Sequence, residues 1–145
     1  MLHITGRLVR CAPVAILLAA GCGRSPITAN RIETAIQTTF ANRLELQVSR
    51  LKLKALPPPD FAITAICQKP TSRSNTGGGD WVCTLVWQGP DRQALRDTYD
   101  LFVNTDGCYT ATVAGETLGG PTLKGADGAV VKNLLYTFEG CFDVT

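Results

Sequence analysis

The sequence predicts an α+β fold: one N-terminal amphipathic helix packed on an antiparallel sheet of about five short strands, with two disulfides. Three observations lead there. Apolar residues recur every four positions over one stretch, they recur every two positions over several later ones, and four cysteines are spread through the alternating segments. A length of 145 residues, 45% hydrophobic and 18% charged, suits a single globular domain.

Ile32, Ile36, Phe40 and Leu44, with Ala35 beside them, form the helical stripe, and the pattern predicts a helix over 31–46. Asn30 and Glu33 have capping-box spacing: the Asn side chain accepts a free amide and the Glu reaches back to the cap. Beyond it, "LELQVSRLKLK" begins to alternate like a strand, and the prolines at 57–59 stop whatever precedes them.

The rest reads as β. In "FAITAIC", Phe61, Ile63, Ala65 and Cys67 share a face; in "WVCTLVW", Trp81, Cys83, Leu85 and Trp87 do. "TYDLFVNTDGCYTATV" reads as a hairpin, with Tyr99, Leu101 and Val103 facing Tyr109, Ala111 and Val113 across a turn at Asp106-Gly107. Residues 115–133 are glycine-rich and predict loops with one small hairpin around "KGADGA", and "NLLYTFEGCF" supplies a last strand.

Ahead of this domain, "MLHITGRLVR" carries Arg7 and Arg10 and no acid, followed by the apolar run "CAPVAILLAAGC". That run covers 12 residues, against the roughly 20 that a helix needs to cross a bilayer. A basic start, a short apolar core and small residues before a polar break describe a cleaved secretory signal. Ala19-Ala20-Gly21-Cys22 resembles the lipobox of bacterial lipoproteins, with Ala19 where leucine is usual. The resemblance implies cleavage after residue 21, a lipid thioether on Cys22, and attachment to the extracytoplasmic face of the cell membrane. A buried core helix and a cleaved but unmodified Cys22 are the competing readings. The predicted organisation is a signal over 1–21, a lipid-anchored tether over 22–29 and a disulfide-stapled domain over 30–145. Even fully extended, the tether segment "GRSPIT" with its cysteine reaches only about 25 Å.

Cysteine parity agrees with lipidation. Losing Cys11 with the signal and Cys22 to lipid leaves Cys67, Cys83, Cys108 and Cys141, an even number in a compartment where disulfides persist. Three connectivities are open. Cys67–Cys83, which closes the polar loop "QKPTSRSNTGGGD", and Cys108–Cys141, which ties the last strand to the middle of the domain, are favoured. A zinc site is disfavoured because no C-x-x-C pair is present.

"GGDWVC", "CYTA" and "FEGCFD", following a lipobox and a helix, resemble a group of small actinobacterial secreted lipoproteins of unknown function. The helix, the Cys67–Cys83 pair and the following hairpin also resemble a wider secreted domain of the same bacteria, in which "RLKLKALPPPD" has no counterpart. The resemblance implies a fold and an address, and no catalytic residue or ligand.

The chemistry expected is binding. The one histidine, His3, lies in the signal, so the rest of the chain lacks the residue on which Ser-His-Asp, Cys-His and His-ligated zinc sites depend. Asp97, Asp100, Asn104 and Asp106 lack the spacing and the bidentate Glu of an EF-hand loop and read as a solvated face with turn residues. Gly77-Gly78-Gly79 is followed by no Lys-Ser/Thr and reads as a loop, not a phosphate cradle. Phe102, Asp100 and Asn104, opposite the Tyr99 face, are the candidate interaction surface. No metal and no cofactor beyond the lipid on Cys22 is expected. A net charge of +2 gives no reason to expect nucleic acid. The partners expected are membrane lipid, through the anchor, and an envelope protein or ligand. A small inhibitor or ligand-binding domain is the alternative, and a carboxylate-based hydrolase comes third. Arg24, Arg31, Arg43, Arg50, Lys52 and Lys54 make the first half basic, either facing anionic headgroups or serving solubility alone.

Overall fold

The computed structural model describes residues 26–53, 61–71, 73–89 and 91–144. The signal over 1–21, Cys22 and the prolines at 57–59 lie outside the described residues. Among the described residues a single helix, α1 (Ala29–Arg50), precedes seven strands: β1 (Thr64–Gln68), β2 (Gly79–Gln88), β3 (Ala94–Val103), β4 (Cys108–Val113), β5 (Thr122–Lys124), β6 (Val130–Lys132) and β7 (Thr137–Cys141). Five of them form an antiparallel sheet in the order β1-β2-β3-β4-β7, while β5 and β6 make a separate hairpin between β4 and β7. β2 and β3 run for ten residues each, so the expectation of uniformly short strands is corrected.

The helix is longer than its apolar stripe at both ends. Its N-cap is Thr28, held extended and making no side-chain cap bond. The reason is tertiary: Thr28 bridges Thr76, and the Gly77 N–H donates to the Ile27 carbonyl at 2.8 Å. The capping box expected from Asn30 and Glu33 does not form, because the Glu33 carboxylate instead accepts the Cys67 N–H at 2.8 Å. Ile27 is buried, so the chain read as tether up to residue 29 already belongs to the domain from there on.

At the other end, helical geometry continues to Arg50 and closes in a Schellman motif. The Lys52 N–H donates to Ser49 O and the Leu53 N–H to Val48 O, with Lys52 left-handed at φ 57. "LELQVSR" therefore extends the helix rather than starting a strand, which also buries Gln47 and Val48.

Alternation sorts the strands as read from the sequence. Ala65 and Cys67, Trp81 to Trp87 in steps of two, Tyr99, Leu101, Val103, Tyr109, Ala111 and Phe138 are buried against the Ile32–Ile36–Phe40–Leu44 stripe. Phe40 sits at the centre, with ring centroids 5.0 Å from Trp87, 6.0 Å from Tyr99 and 6.4 Å from Phe138. Such tilted and edge-on aromatic pairs each add about 0.5–1.5 kcal/mol beyond area burial. The Tyr99 hydroxyl donates to the Leu135 carbonyl at 2.7 Å, satisfying its polar end inside the core.

Both disulfides join residues directly opposed on neighbouring strands. Cys67–Cys83 links β1 to β2 with its Cα atoms 4.1 Å apart, and Cys108–Cys141 links β4 to β7 at 3.9 Å. The first lies in the core and the second on the opposite face.

Two buried amides secure the return from β6 to β7. Asn133 donates from Nδ2 to the carbonyls of Leu118 and Gly120, both at 2.9 Å, and accepts the Leu135 N–H at 3.1 Å. Gln47 on α1 accepts the Leu134 N–H through Oε1 at 2.6 Å. Among the described residues, no helix is long and apolar enough to cross a membrane.

Candidate interaction surface

A sheet with a helix on one side has a second side. Among the described residues no element covers it, and its exposure follows from the same alternation that buries the first. The strand register arranges it in rows. Thr64, Val86 and Arg96 form the row nearest Gly89 and residues 91–93, followed by Ile66, Thr84 and Thr98. Gln68, Val82, Asp100, Thr112 and Thr137 come next, and then Asp80, Phe102, Thr110 and Glu139.

The face is rich in threonine, a residue that suits an open pleated surface because its branched carbon packs along the strand while its hydroxyl meets water. Two large apolar side chains stand out of it, Ile66 at 72% exposure and Phe102 at 55%. A depression of about 260 Å³ lies beside Ile66, bounded by Val82, Thr84, Val86 and Arg96.

The three residues singled out from the sequence do not form one site. Phe102 and Asn104 line a shallow hollow of about 500 Å³ with Gly78, Gly79 and Asp106. Asn104 belongs to the β3–β4 turn, where its N–H donates to Cys108 O at 2.8 Å. Asp100 stands one row away, exposed between Val82 and Thr112. Ile66 was missed, although the alternation that singled out Phe102 also places Ile66 opposite Ala65 and Cys67.

Asp97 is not part of a solvated acidic cluster, as the sequence suggested. It is buried, with Oδ1 accepting the Thr98 N–H at 2.9 Å and Oδ2 accepting the Leu118 N–H at 3.1 Å. Its carboxylate occupies the space where a side chain on Gly115 would have to go. The 114–118 loop folds down on it, an arrangement that no local spacing reveals. Among the described residues, no three His, Cys, Asp or Glu side chains converge on a metal-sized site.

A second concavity, about 390 Å³, runs between α1 and the end of β7. The helix contributes Asn30, Arg31, Thr34 and Thr38, and the opposite wall is Cys141, Phe142 and Asp143. The hydroxyls of Thr34 and Thr38 are bound to helix carbonyls at 2.9 and 3.0 Å, whereas Arg31 Nη1 is buried without a hydrogen-bond partner among the described residues. Ladder bonds at Val113–Tyr136 and Gly107–Phe142 set the alternation of β7, which turns the main-chain groups of Thr137, Glu139 and Cys141 away from β4.

Close to this groove, Tyr109 crosses from β4 to the helix and donates to Thr39 Oγ1 at 2.9 Å. The crossing passes over Gly140, where any side chain would collide with the Tyr109 phenol and Thr39. Burial raises the Tyr109 pKa, partly offset by the Thr39 hydrogen bond and the Arg43 charge. Burial first, and then the Asp97 carboxylate, also raise that of Tyr99.

No family model, curated protein or solved structure matches this chain.

Proposed function

We propose that this chain is a lipid-anchored lipoprotein of the bacterial cell envelope whose α+β domain is a non-enzymatic binding module. The lipobox-like Ala19-Ala20-Gly21-Cys22 and the even number of remaining cysteines support the anchor, as does the resemblance to small actinobacterial lipoproteins. One observation carries the binding role: the uncovered sheet face holds Ile66 and Phe102 in the open while the chain's other aromatic side chains on the sheet are packed against the helix. Ile66 stands beside Val82 and Val86 on a face otherwise rich in threonine, and a contiguous exposed apolar patch rimmed by polar residues marks contact with another macromolecule.

A photo-crosslinking residue at 66 or 102 in intact cells tests this reading. A discrete adduct from those positions, absent from position 92 in the β2–β3 loop, is the expected result. Adducts of the same pattern from all three positions refute a specific face. For the anchor, Cys22→Ala is expected to abolish fatty-acid labelling, and labelling that survives it refutes the assignment.

The alternative of a ligand-binding domain is favoured by the groove between α1 and β7. The β7 edge, unpaired among the described residues, and the Arg31 guanidinium suit an extended peptide added as a further strand. Amide shifts at Thr137, Glu139 and Cys141 on titration with such a peptide distinguish it from binding across the sheet face.

A further inference from the structure

The anchor and the fold together define which end of the domain meets the membrane. This step rests on lipidation of Cys22. From Cys22 to Pro26 there are four residue steps, about 14 Å at full extension whatever the conformation. From there the chain is fixed: Ile27 is buried, its carbonyl accepts the Gly77 N–H, and Thr28 bridges Thr76. The attachment point is therefore the end of the sheet where β1 leaves, β2 begins and β3 turns into β4.

The opposite end is far away. Twenty-two helical residues span about 33 Å, so Arg50 and Lys52 stand a full helix length from the attachment point. The two ends carry different elements. Residues 69–71 and 73–78, the 104–107 turn, residues 142–144 and the start of α1 lie at the attached end. Residues 89 and 91–93 lie at the other, together with the β5–β6 hairpin, whose Ala126 N–H donates to Leu51 O at the helix terminus.

We propose that residues 69–71 and 73–78 and the 104–107 turn form the surface that rests on the bilayer headgroups, with the strands running away from the membrane. The occupant is a lipid surface because the tether is too short to lift this end clear of one. The charges described at this end are mixed, with Arg31, Lys69 and Arg73 against Asp80, Asp106 and Asp143, so the contact is imposed by the tether and not by electrostatic attraction. Arg50 and Lys52 consequently face away from the membrane, which removes them from the basic headgroup-facing set considered from the sequence. The open face, with Ile66 and Phe102, stands upright and can be approached from the side.

The two tryptophans provide a built-in ruler. Trp81 lies at the attached end of β2, its indole N–H donating to Gly77 O at 3.1 Å, and Trp87 lies at the far end of the same strand. The full lipidated chain is reconstituted in phosphatidylglycerol–phosphatidylethanolamine vesicles carrying a dansyl headgroup acceptor. Energy transfer is then compared between Trp87→Phe, which leaves Trp81, and Trp81→Phe, which leaves Trp87. Transfer from Trp81 is expected to be at least about threefold more efficient, since six residues of strand separate the indoles by about 20 Å. Equal transfer, or stronger transfer from Trp87, in protein that floats with the vesicles overturns the orientation.

Protein that fails to float refutes the anchor itself, a result distinguishable from a wrong orientation. Amide exchange of the wild-type chain guards against variants that do not fold. Exchange in vesicles relative to detergent is expected to slow over 69–78 and 104–107. Slowing at 89–93 and 126–128 instead, or at neither end, overturns the proposal, and the former pattern would indicate a domain resting on its other end.

Discussion

The carboxylate of Glu33, in the first turns of α1, accepts the backbone N–H of Cys67 at 2.8 Å on the outer strand of the sheet. Cys67 opposes Cys83 directly, and its N–H turns away from β2 toward the open edge. The helix thus covers a strand edge that would otherwise offer a template for pairing with another chain. Glu33→Ala is expected to destabilise the domain by about 1–3 kcal/mol, the cost of leaving a partly buried donor unmet. Glu33→Gln, which keeps an acceptor oxygen, is expected to lose less. Urea unfolding of both variants checks the order, and light scattering checks whether Glu33→Ala also associates more readily.

Lys52 closes the helix in a left-handed conformation at φ 57 that a side chain disfavours. Replacing it with glycine removes that conflict while preserving both Schellman hydrogen bonds. Lys52→Gly is expected to stabilise the domain by about 1 kcal/mol. A rise in thermal midpoint measured by circular dichroism would bear this out, and a fall would show that Lys52 makes a compensating contact.

Gly140 and Tyr109 are expected to be coupled. A methyl group at 140 meets the Tyr109 phenol and Thr39, so Gly140→Ala forces apart the hydrogen bond between them and costs about 1–3 kcal/mol. Removing the phenol oxygen with Tyr109→Phe relieves part of the collision. The double variant is expected to be more stable than the sum of the single losses predicts, by more than about 0.5 kcal/mol in a double-mutant cycle.

Alkaline pH is expected to unfold the domain in a defined direction. Tyr99 and Tyr109 both have pKa values raised on folding, above the value near 10 of a tyrosine in the unfolded chain. The unfolded state therefore releases protons first as pH rises. Stability from these groups is complete below pH 10 and falls above it by up to about 1.4 kcal/mol per pH unit for each tyrosine, until the folded pKa is reached. Urea midpoints measured from pH 8 to 11 should be level at first and then decline. In Tyr99→Phe the decline should be shallower.

The disulfides are expected to differ in access more than in worth. Sequence separations of 16 and 33 residues correspond to about 3 and about 4 kcal/mol of loop-closure stabilisation. Cys67 and Cys83 are 3% and 0% exposed, whereas Cys141 lies in the open on the far face. Mild reductant followed by alkylation and peptide mapping should therefore label Cys108 and Cys141 first. Simultaneous labelling of all four cysteines would indicate that reduction requires global unfolding.

The placement of the strands was legible because alternation is a local property. A residue's face in β2 depends on its neighbours two positions away, and Trp81, Cys83, Leu85 and Trp87 announce a common face whatever lies beside them. The exposed site was half legible for the same reason: the period that turns Phe102 outward says nothing about its distance from Asp100 or Ile66. Cross-strand register decides that distance.

By itself, the sequence determined the α+β class, the apolar helix stripe, the faces of the long strands and the inserted β5–β6 hairpin, all of which follow from periodicity and turn residues within a few positions. Tertiary structure alone decided the partner of Glu33, the docking of Ala126 on Leu51 O just past the end of α1, the burial of Asp97 under the 114–118 loop and the passage of Tyr109 over Gly140. In each of these a polar or backbone group is satisfied by a residue distant in sequence, or a backbone conformation is held in place by surrounding packing. A group that must find a hydrogen-bond partner when buried does not advertise in its own neighbourhood which partner it will find.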